Sequence, residues 1–229
     1  MIAINNYIDA AILKPEFTVQ EVAAAIQDCI TWNTKTVCVR PCDIGLAKKL
    51  TAGTDTGVSC VLAFPHGSVP SSVKICEAED YIAQGADEID MVANIGMIRS
   101  GEWDYVARDI SAVTKICKSS GIILKVILEV FFLTPEEIVR ATKVCAGCGA
   151  DFVKTSTGFA GGGATEKAVQ LMLDAADGHI RVKASGGIKT QKEAFSFIEM
   201  GVERLGIGFA SNRAVIQGQP ESDNQSETY

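Results

Sequence analysis

Eight short runs of β-branched and aliphatic residues recur along the chain, and successive runs are separated by stretches with apolar residues at i, i+3, i+4 spacing. The runs cover 7–9, 36–39, 58–63, 88–92, 122–128, 151–154, 181–184 and 204–207. Strand and helix alternating in this way predict a parallel sheet with crossover helices, because parallel neighbours cannot be joined by a hairpin. Eight such units in 229 residues fit a compact α/β architecture, the (β/α)8 or TIM barrel. The competing architecture is an open doubly wound sheet. No Gly-x-Gly-x-x-Gly follows the first run, which weakens a dinucleotide-binding version of it.

Local punctuation agrees with the alternation. Thr18 with Glu21 reads as a capping box, and Thr134-Pro135-Glu136-Glu137 opens a second helix with proline at its first position. Thr165 and Thr190 begin similar segments. Gly85, Gly121, Gly147 with Gly149, and Gly201 fall where helices should stop. Residues 1–217 are expected to form a single barrel domain. Residues 218–229, GQPESDNQSETY, have no aliphatic side chain and carry three of the seven net negative charges, so they read as a flexible polar tail.

A formal charge of −7 argues against a nucleic-acid partner, which needs a basic face. No apolar run is long enough for a membrane span, and the first residues lack the pattern of an export signal, so a cytoplasmic location is expected. Eight cysteines sit mostly inside apolar runs. Cys145-Ala-Gly-Cys148 stands without a second such pair, at the end of an apparent helix, where a thiolate gains nothing from the helix dipole. Reduced structural cysteines are the expectation. With no cluster of ligand types, neither a metal nor any other cofactor is expected.

Reactive groups in a parallel barrel collect at the C-terminal ends of the strands. Three lysines lie in apolar strand patterns: Lys125 in ILKVILE, Lys154 in DFVKTSTG and Lys183 in RVKASGG. A buried ammonium is costly, a neighbouring cation makes it costlier, and a neutral amine can attack a carbonyl to form a Schiff base. Structural ion pairs are the competing explanation. Asp90, Asp9 and Glu129 could balance the charge, and a carboxylate beside a lysine can move protons during carbon–carbon chemistry. The competing role for Asp9 is a turn cap and for Glu129 an ion pair with Lys125, and Glu88 reads as a polar residue at strand entry. Glycine loops follow the last three strands and include Gly158, Gly186, Gly187, Gly206 and Gly208. In a barrel they suit phosphate, and on their own they are tight turns. His66 reads as a loop residue within reach of substrate.

Taken together, DFVKTSTGF, LKVILE, GADEIDMV, VKASGGI and VLAFPHG resemble the deoxyribose-phosphate aldolases over nearly the whole chain. The resemblance implies a class I aldolase that reversibly cleaves 2-deoxy-D-ribose 5-phosphate to acetaldehyde and D-glyceraldehyde 3-phosphate. By matching motif, Lys154 is the Schiff-base lysine, Lys183 the second lysine that depresses its pKa, and Asp90 the acid that relays protons through a water. Lys125 supports Asp90, Cys38 lies near the substrate, and Tyr229 matches the tyrosine that ends some family tails. Its partners are then small molecules, aldehydes and a phosphosugar. Barrels of this kind pair through their helices, which makes a homodimer the candidate assembly.

Two segments depart from the family pattern. A threonine-like position near the start is Ala11, and a serine pair in the last phosphate loop is Gly208-Phe209. Both changes remove hydroxyls, so the catalytic set is intact while the acceptor side is altered. The alternatives are a related Schiff-base aldolase with another acceptor aldehyde and a non-catalytic phosphosugar-binding barrel.

Overall fold

The computed structural model describes residues 3–218. The expected tail, including Tyr229, therefore lies outside the described residues apart from Gly218. Eight parallel strands close into a barrel in sequence order. They are β1 Ile8–Ile12, β2 Thr36–Val39, β3 Gly57–Leu62, β4 Glu88–Val92, β5 Ile123–Ile127, β6 Phe152–Lys154, β7 Arg181–Ser185 and β8 Arg204–Gly208. The helices are α1 Val19–Thr31, α2 Ile44–Thr51, α3 Ser71–Ala83, α4 Ile95–Arg99, α5 Trp103–Ser119, α6 Pro135–Gly147, α7 Glu166–Ala176, α8 Gln191–Met200 and α9 Phe209–Gln217. Among the described residues no helix is long and apolar enough to cross a membrane.

The capping boxes form as read. Thr18, Thr134 and Thr190 each accept the N3 backbone N–H, and Glu21, Glu137 and Glu193 return the bond. Each satisfies two helix-end donors that would otherwise be orphaned. The first strand differs from expectation. Ile4–Tyr7 is a 3-10 turn, and β1 runs on through Ala10 and Ala11 to Ile12. Alanine is a poor strand former, so local pattern hides this stretch, while ladders to β2 and β8 hold it on both sides.

Side chains alternate across each strand. One set, such as Ile8, Val37, Cys60, Met91, Val126, Val153, Val182 and Ile207, joins the main core between barrel and helices. The alternate set faces inward and is largely polar: Asp9, Thr36, Ser59, Glu88, Asp90, Lys125, Lys154, Lys183 and Arg204 are all buried. Most barrels of this type fill the interior with branched aliphatics. A small separate apolar cluster of Leu13, Cys38 and Val61, with Ala11 and Phe64 packed on it, lies at the β1–β3 side of the interior.

Candidate active site

The inward set forms one ionic network. In register, Asp90 pairs with Lys125, Lys154 with Lys183, and Lys183 with Arg204. Lower in the barrel, Arg204 Nη1 donates to Asp9 and, at 3.0 Å, to Glu88, while Lys125 Nζ reaches Glu88 and, at 3.1 Å, Asp9 Oδ2. Thr36 donates its hydroxyl to Asp9 at 2.8 Å. Towards the strand ends, Lys125 donates to Asp90 Oδ1 at 2.8 Å, and Lys154 and Lys183 both donate to Asp90 Oδ2 at 2.7 and 2.8 Å. Lys183 also binds Asp9.

Burial alone would push the carboxyls of Asp9 and Asp90 up. The ammoniums of Lys125 and Lys183 around both, with Lys154 at Asp90 and Arg204 at Asp9, overcome it and hold both well below the usual carboxylate range. The two inner lysines separate. Burial pulls Lys125 down, but Asp9, Asp90 and Glu88 pull it far up. Burial also pulls Lys183 down, and there it prevails: Asp9 and Asp90 oppose it, while Lys125 and Lys154 add repulsion. Four cations, Lys125, Lys154, Lys183 and Arg204, face three carboxylates, Asp9, Glu88 and Asp90. One lysine can therefore give up its proton with the network left neutral. Lys154 is at the rim of the cluster and is 4% exposed, whereas Lys125 and Lys183 are fully enclosed.

Cys38, on β2, is buried. Burial raises its thiol, with Asp90 adding to the rise against the nearby lysines, so it stands as a neutral thiol in the same chamber. Gly158, Gly186 and Gly187 follow β6 and β7 with positive φ. Gly206 is inside β8, in register with Asp9 and Ser185, and a β-carbon there would meet that of Ser185 at 2.6 Å. Gly208 ends β8 and directly precedes α9, so the first N–H groups of that helix lie beside it. The loops after β6 and β7 touch backbone to backbone. A β-carbon on Gly163 would sit 2.2 Å from the Gly186 carbonyl oxygen, and Ala164 N–H donates to Ser185 and Gly186.

Three readings need correction. Glu88 is an inward member of the network rather than a strand-entry residue, and Arg204 was not anticipated in it. Period-two spacing shows both: Glu88 is two residues before Asp90, and Arg204 two before Gly206. Glu129 does not pair with Lys125; it turns to Thr157. Phe209, expected to line the acceptor side, instead stacks on Trp32 with ring centroids 6.1 Å apart. His66 is exposed in the loop after β3, and Cys145 is buried in α6 with Cys148 as its C-cap.

The profile of the DeoC/LacD family aldolases matches residues 3–218. A protein from Staphylococcus aureus (strain MSSA476) named deoxyribose-phosphate aldolase 1 is 43% identical over 220 residues, 96% of this chain and 98% of its own. A deoxyribose-phosphate aldolase from Thermococcus gammatolerans is 42% identical over 217 residues, 94% of this chain and 96% of its own. Among solved structures, an aldolase called QR15 superposes with a TM-score of 0.89 at 36% identity, covering 95% of this chain and 96% of that one. The deoxyribose phosphate aldolase of Aeropyrum pernix, described as tetrameric, gives 0.84 at 29% identity, covering 94% and 90%. A profile match across the described barrel, joined to relatives this similar over nearly their full length, means that the chain belongs to the DeoC/LacD aldolase family.

Proposed function

We propose that this enzyme is a 2-deoxy-D-ribose 5-phosphate aldolase in which Lys154 forms the Schiff base. The observation that carries the reading is the convergence of Lys154 and Lys183 on one oxygen of Asp90, at 2.7 and 2.8 Å, inside an otherwise closed barrel. The neutral Lys154 amine adds to the C1 carbonyl of the open-chain sugar phosphate, and loss of water leaves an iminium. A base takes the proton of the C3 hydroxyl, the C2–C3 bond breaks, and its electron pair moves into the enamine. Glyceraldehyde 3-phosphate departs. Protonation at C2 and hydrolysis then release acetaldehyde and regenerate the amine. Asp90, kept ionised by the surrounding cations, accepts and returns protons through a water, while Lys183 and Lys125 fix its two oxygens. Cys38 adds a neutral wall to the chamber. Backbone N–H groups at Gly158, Gly186, Gly187, Gly206 and Gly208 and the start of α9 receive the phosphate. The test is borohydride reduction with acetaldehyde. An ethyl group on Lys154 supports the reading, and its absence leaves a phosphosugar-binding barrel.

A second reading, a Schiff-base aldolase with a different acceptor, is favoured by the pairing of Ala11 with Gly208 in register across β1 and β8. Both hydroxyl losses lie at one point of the mouth. Product analysis with deoxyribose 5-phosphate and with deoxyribose separates the two readings.

The proposal includes a cytoplasmic homodimer. Free cysteines throughout the described barrel suit a reducing compartment. Exposed Val19 on α1 and Val73 on α3 offer apolar contacts on the outer helices. Sedimentation equilibrium should return a dimer mass; a tetramer, as described for the Aeropyrum pernix relative, would overturn it.

A further inference from the structure

The inward charges stand in two layers. Glu88 on β4 and Arg204 on β8 lie two residues before Asp90 and Gly206, so they form the layer nearer the strand starts. Each is 4% exposed. Arg204 holds Glu88 with both terminal nitrogens, Nη1 to Oε2 at 3.0 Å and Nη2 to Oε1 at 3.1 Å. A bidentate pair is fixed in geometry as well as strong. Two residues join this layer to the one above. Asp9 takes Arg204 and Thr36 on Oδ1, and Lys183 and Lys125 on Oδ2. Lys125 reaches Glu88 below and Asp90 Oδ1 above.

An ammonium has three protons to donate. Lys125 uses all three, on Glu88, Asp9 and Asp90, which holds it charged. The Arg204 guanidinium keeps its proton at any ordinary pH. Lys183 uses two, on Asp9 and Asp90, and Lys154 one, on Asp90. A neutral amine still has two protons to donate, so either upper lysine can release the one surplus proton of the network without losing a bond. Among the described residues the other two strands bring no charge inward: β2 presents Thr36 and the neutral thiol of Cys38, and β3 presents Ser59. Arg181 touches the same Phe152 ring as Arg204, 3.9 Å from its centroid against 5.4 Å, and is answered by Asp151 at 3.8 Å.

We propose that Glu88 and Arg204 are positioning residues that act through Asp9 and Lys125 to fix how many protons the upper lysines hold, and so set the pH at which Lys154 becomes the nucleophile. This rests on the aldolase reading. The pair is neutral as a whole, so its two members work in opposite senses. Without the Glu88 charge, four cations face two carboxylates, and the upper lysines release protons more readily. Without the Arg204 charge, three cations face three carboxylates, and the upper lysines keep their protons.

The experiment follows kcat/KM for cleavage of deoxyribose 5-phosphate against pH in the wild type, Glu88→Gln, Arg204→Gln, the double variant and Arg204→Lys. The rising limb of the profile reports loss of the proton that blocks the nucleophile. It should move to lower pH in Glu88→Gln and to higher pH in Arg204→Gln, each by about one pH unit. The double variant restores the balance of charge and Arg204→Lys keeps it, so both limbs should lie close to that of the wild type. Each single variant has its own sign, so one that fails to fold leaves the other decisive; if neither folds, a displaced limb in the double variant or in Arg204→Lys overturns the proposal. Single variants that shift in the same direction, or that lose rate with an unmoved limb, also overturn it and leave the pair a purely structural role. Borohydride trapping with acetaldehyde is run alongside. If the wild type is not trapped at Lys154, the aldolase reading has failed; if trapping is intact and the limbs do not move, only this inference has.

Discussion

Lys154 and Lys183 are register partners on β6 and β7 and donate to the same oxygen of Asp90. Burial and the neighbouring lysines, Lys154 among them, hold the Lys183 ammonium below its usual value, while the nucleophile itself must be unprotonated to act. Lys154→Ala should therefore abolish cleavage by several orders of magnitude. Lys154→Arg should fail equally, because a guanidinium stays protonated. Cleavage near the wild-type rate by either variant would move the Schiff base to another residue.

Lys183→Leu removes one of the four cations and leaves Asp90 paired with Lys125 and Lys154. The chamber then holds its remaining protons more firmly. The rate at neutral pH should fall, with recovery as the pH is raised, so the rising limb of the pH–rate profile shifts to alkaline pH. A lower rate with an unshifted profile would give Lys183 a purely structural role.

Three residues show how far local pattern reaches. Lys125, Lys154 and Lys183 were legible because each interrupts an aliphatic strand, and burial of a lysine calls for a reason. Glu88 and Arg204 obey the same period of two, yet each lies near the start of its strand, where charge is commonplace, so tertiary context was needed to turn them inward. The extent of β1 was hidden by Ala10 and Ala11, which signal a strand only weakly. The turn of Glu129 towards Thr157 could not be read at all, since it depends on one left-handed backbone angle.

Asp9 and Asp90 are held below the ordinary carboxylate value, so their contribution to stability is complete above that value and is lost as pH falls towards their folded pKa values. Below roughly pH 4 each should cost about 1.4 kcal/mol per pH unit. Urea unfolding followed from pH 7 to pH 2.5 should show this acid slope. Asp90→Asn should be less stable at neutral pH and show a shallower slope; an equal slope would place the acid sensitivity elsewhere.

Lys74 on α3 and Asp109 on α5 form a second buried pair, and Lys74 also holds the Val92 carbonyl at 3.0 Å. Burial pulls the Lys74 ammonium down against the pull of Asp109. Lys74→Ala strands a buried carboxylate and should cost about 3–5 kcal/mol. Replacing both, Lys74→Met with Asp109→Leu, should recover most of that loss. Denaturant midpoints decide it: a double variant as unstable as the single one would show that the bond to Val92, not the ion pair, carries the stability.

Ala11 and Gly208 meet in register at the β1–β8 seam, so restoring a hydroxyl there acts on one spot of the mouth. Gly208 has φ −57 and ψ 140, which serine adopts without strain. Phe209 should be left in place, since its ring is committed to Trp32. A hydrogen bond to a charged group contributes about 1.5–3 kcal/mol. Gly208→Ser, alone or with Ala11→Thr, should therefore raise the ratio of kcat/KM for deoxyribose 5-phosphate over deoxyribose by about tenfold or more. On the proposed reading, backbone donors at the glycines and at the start of α9 set the wild-type ratio. If the substituted enzymes keep that ratio, those donors already saturate the phosphate, and the seam has no part in choosing between phosphorylated and free sugars.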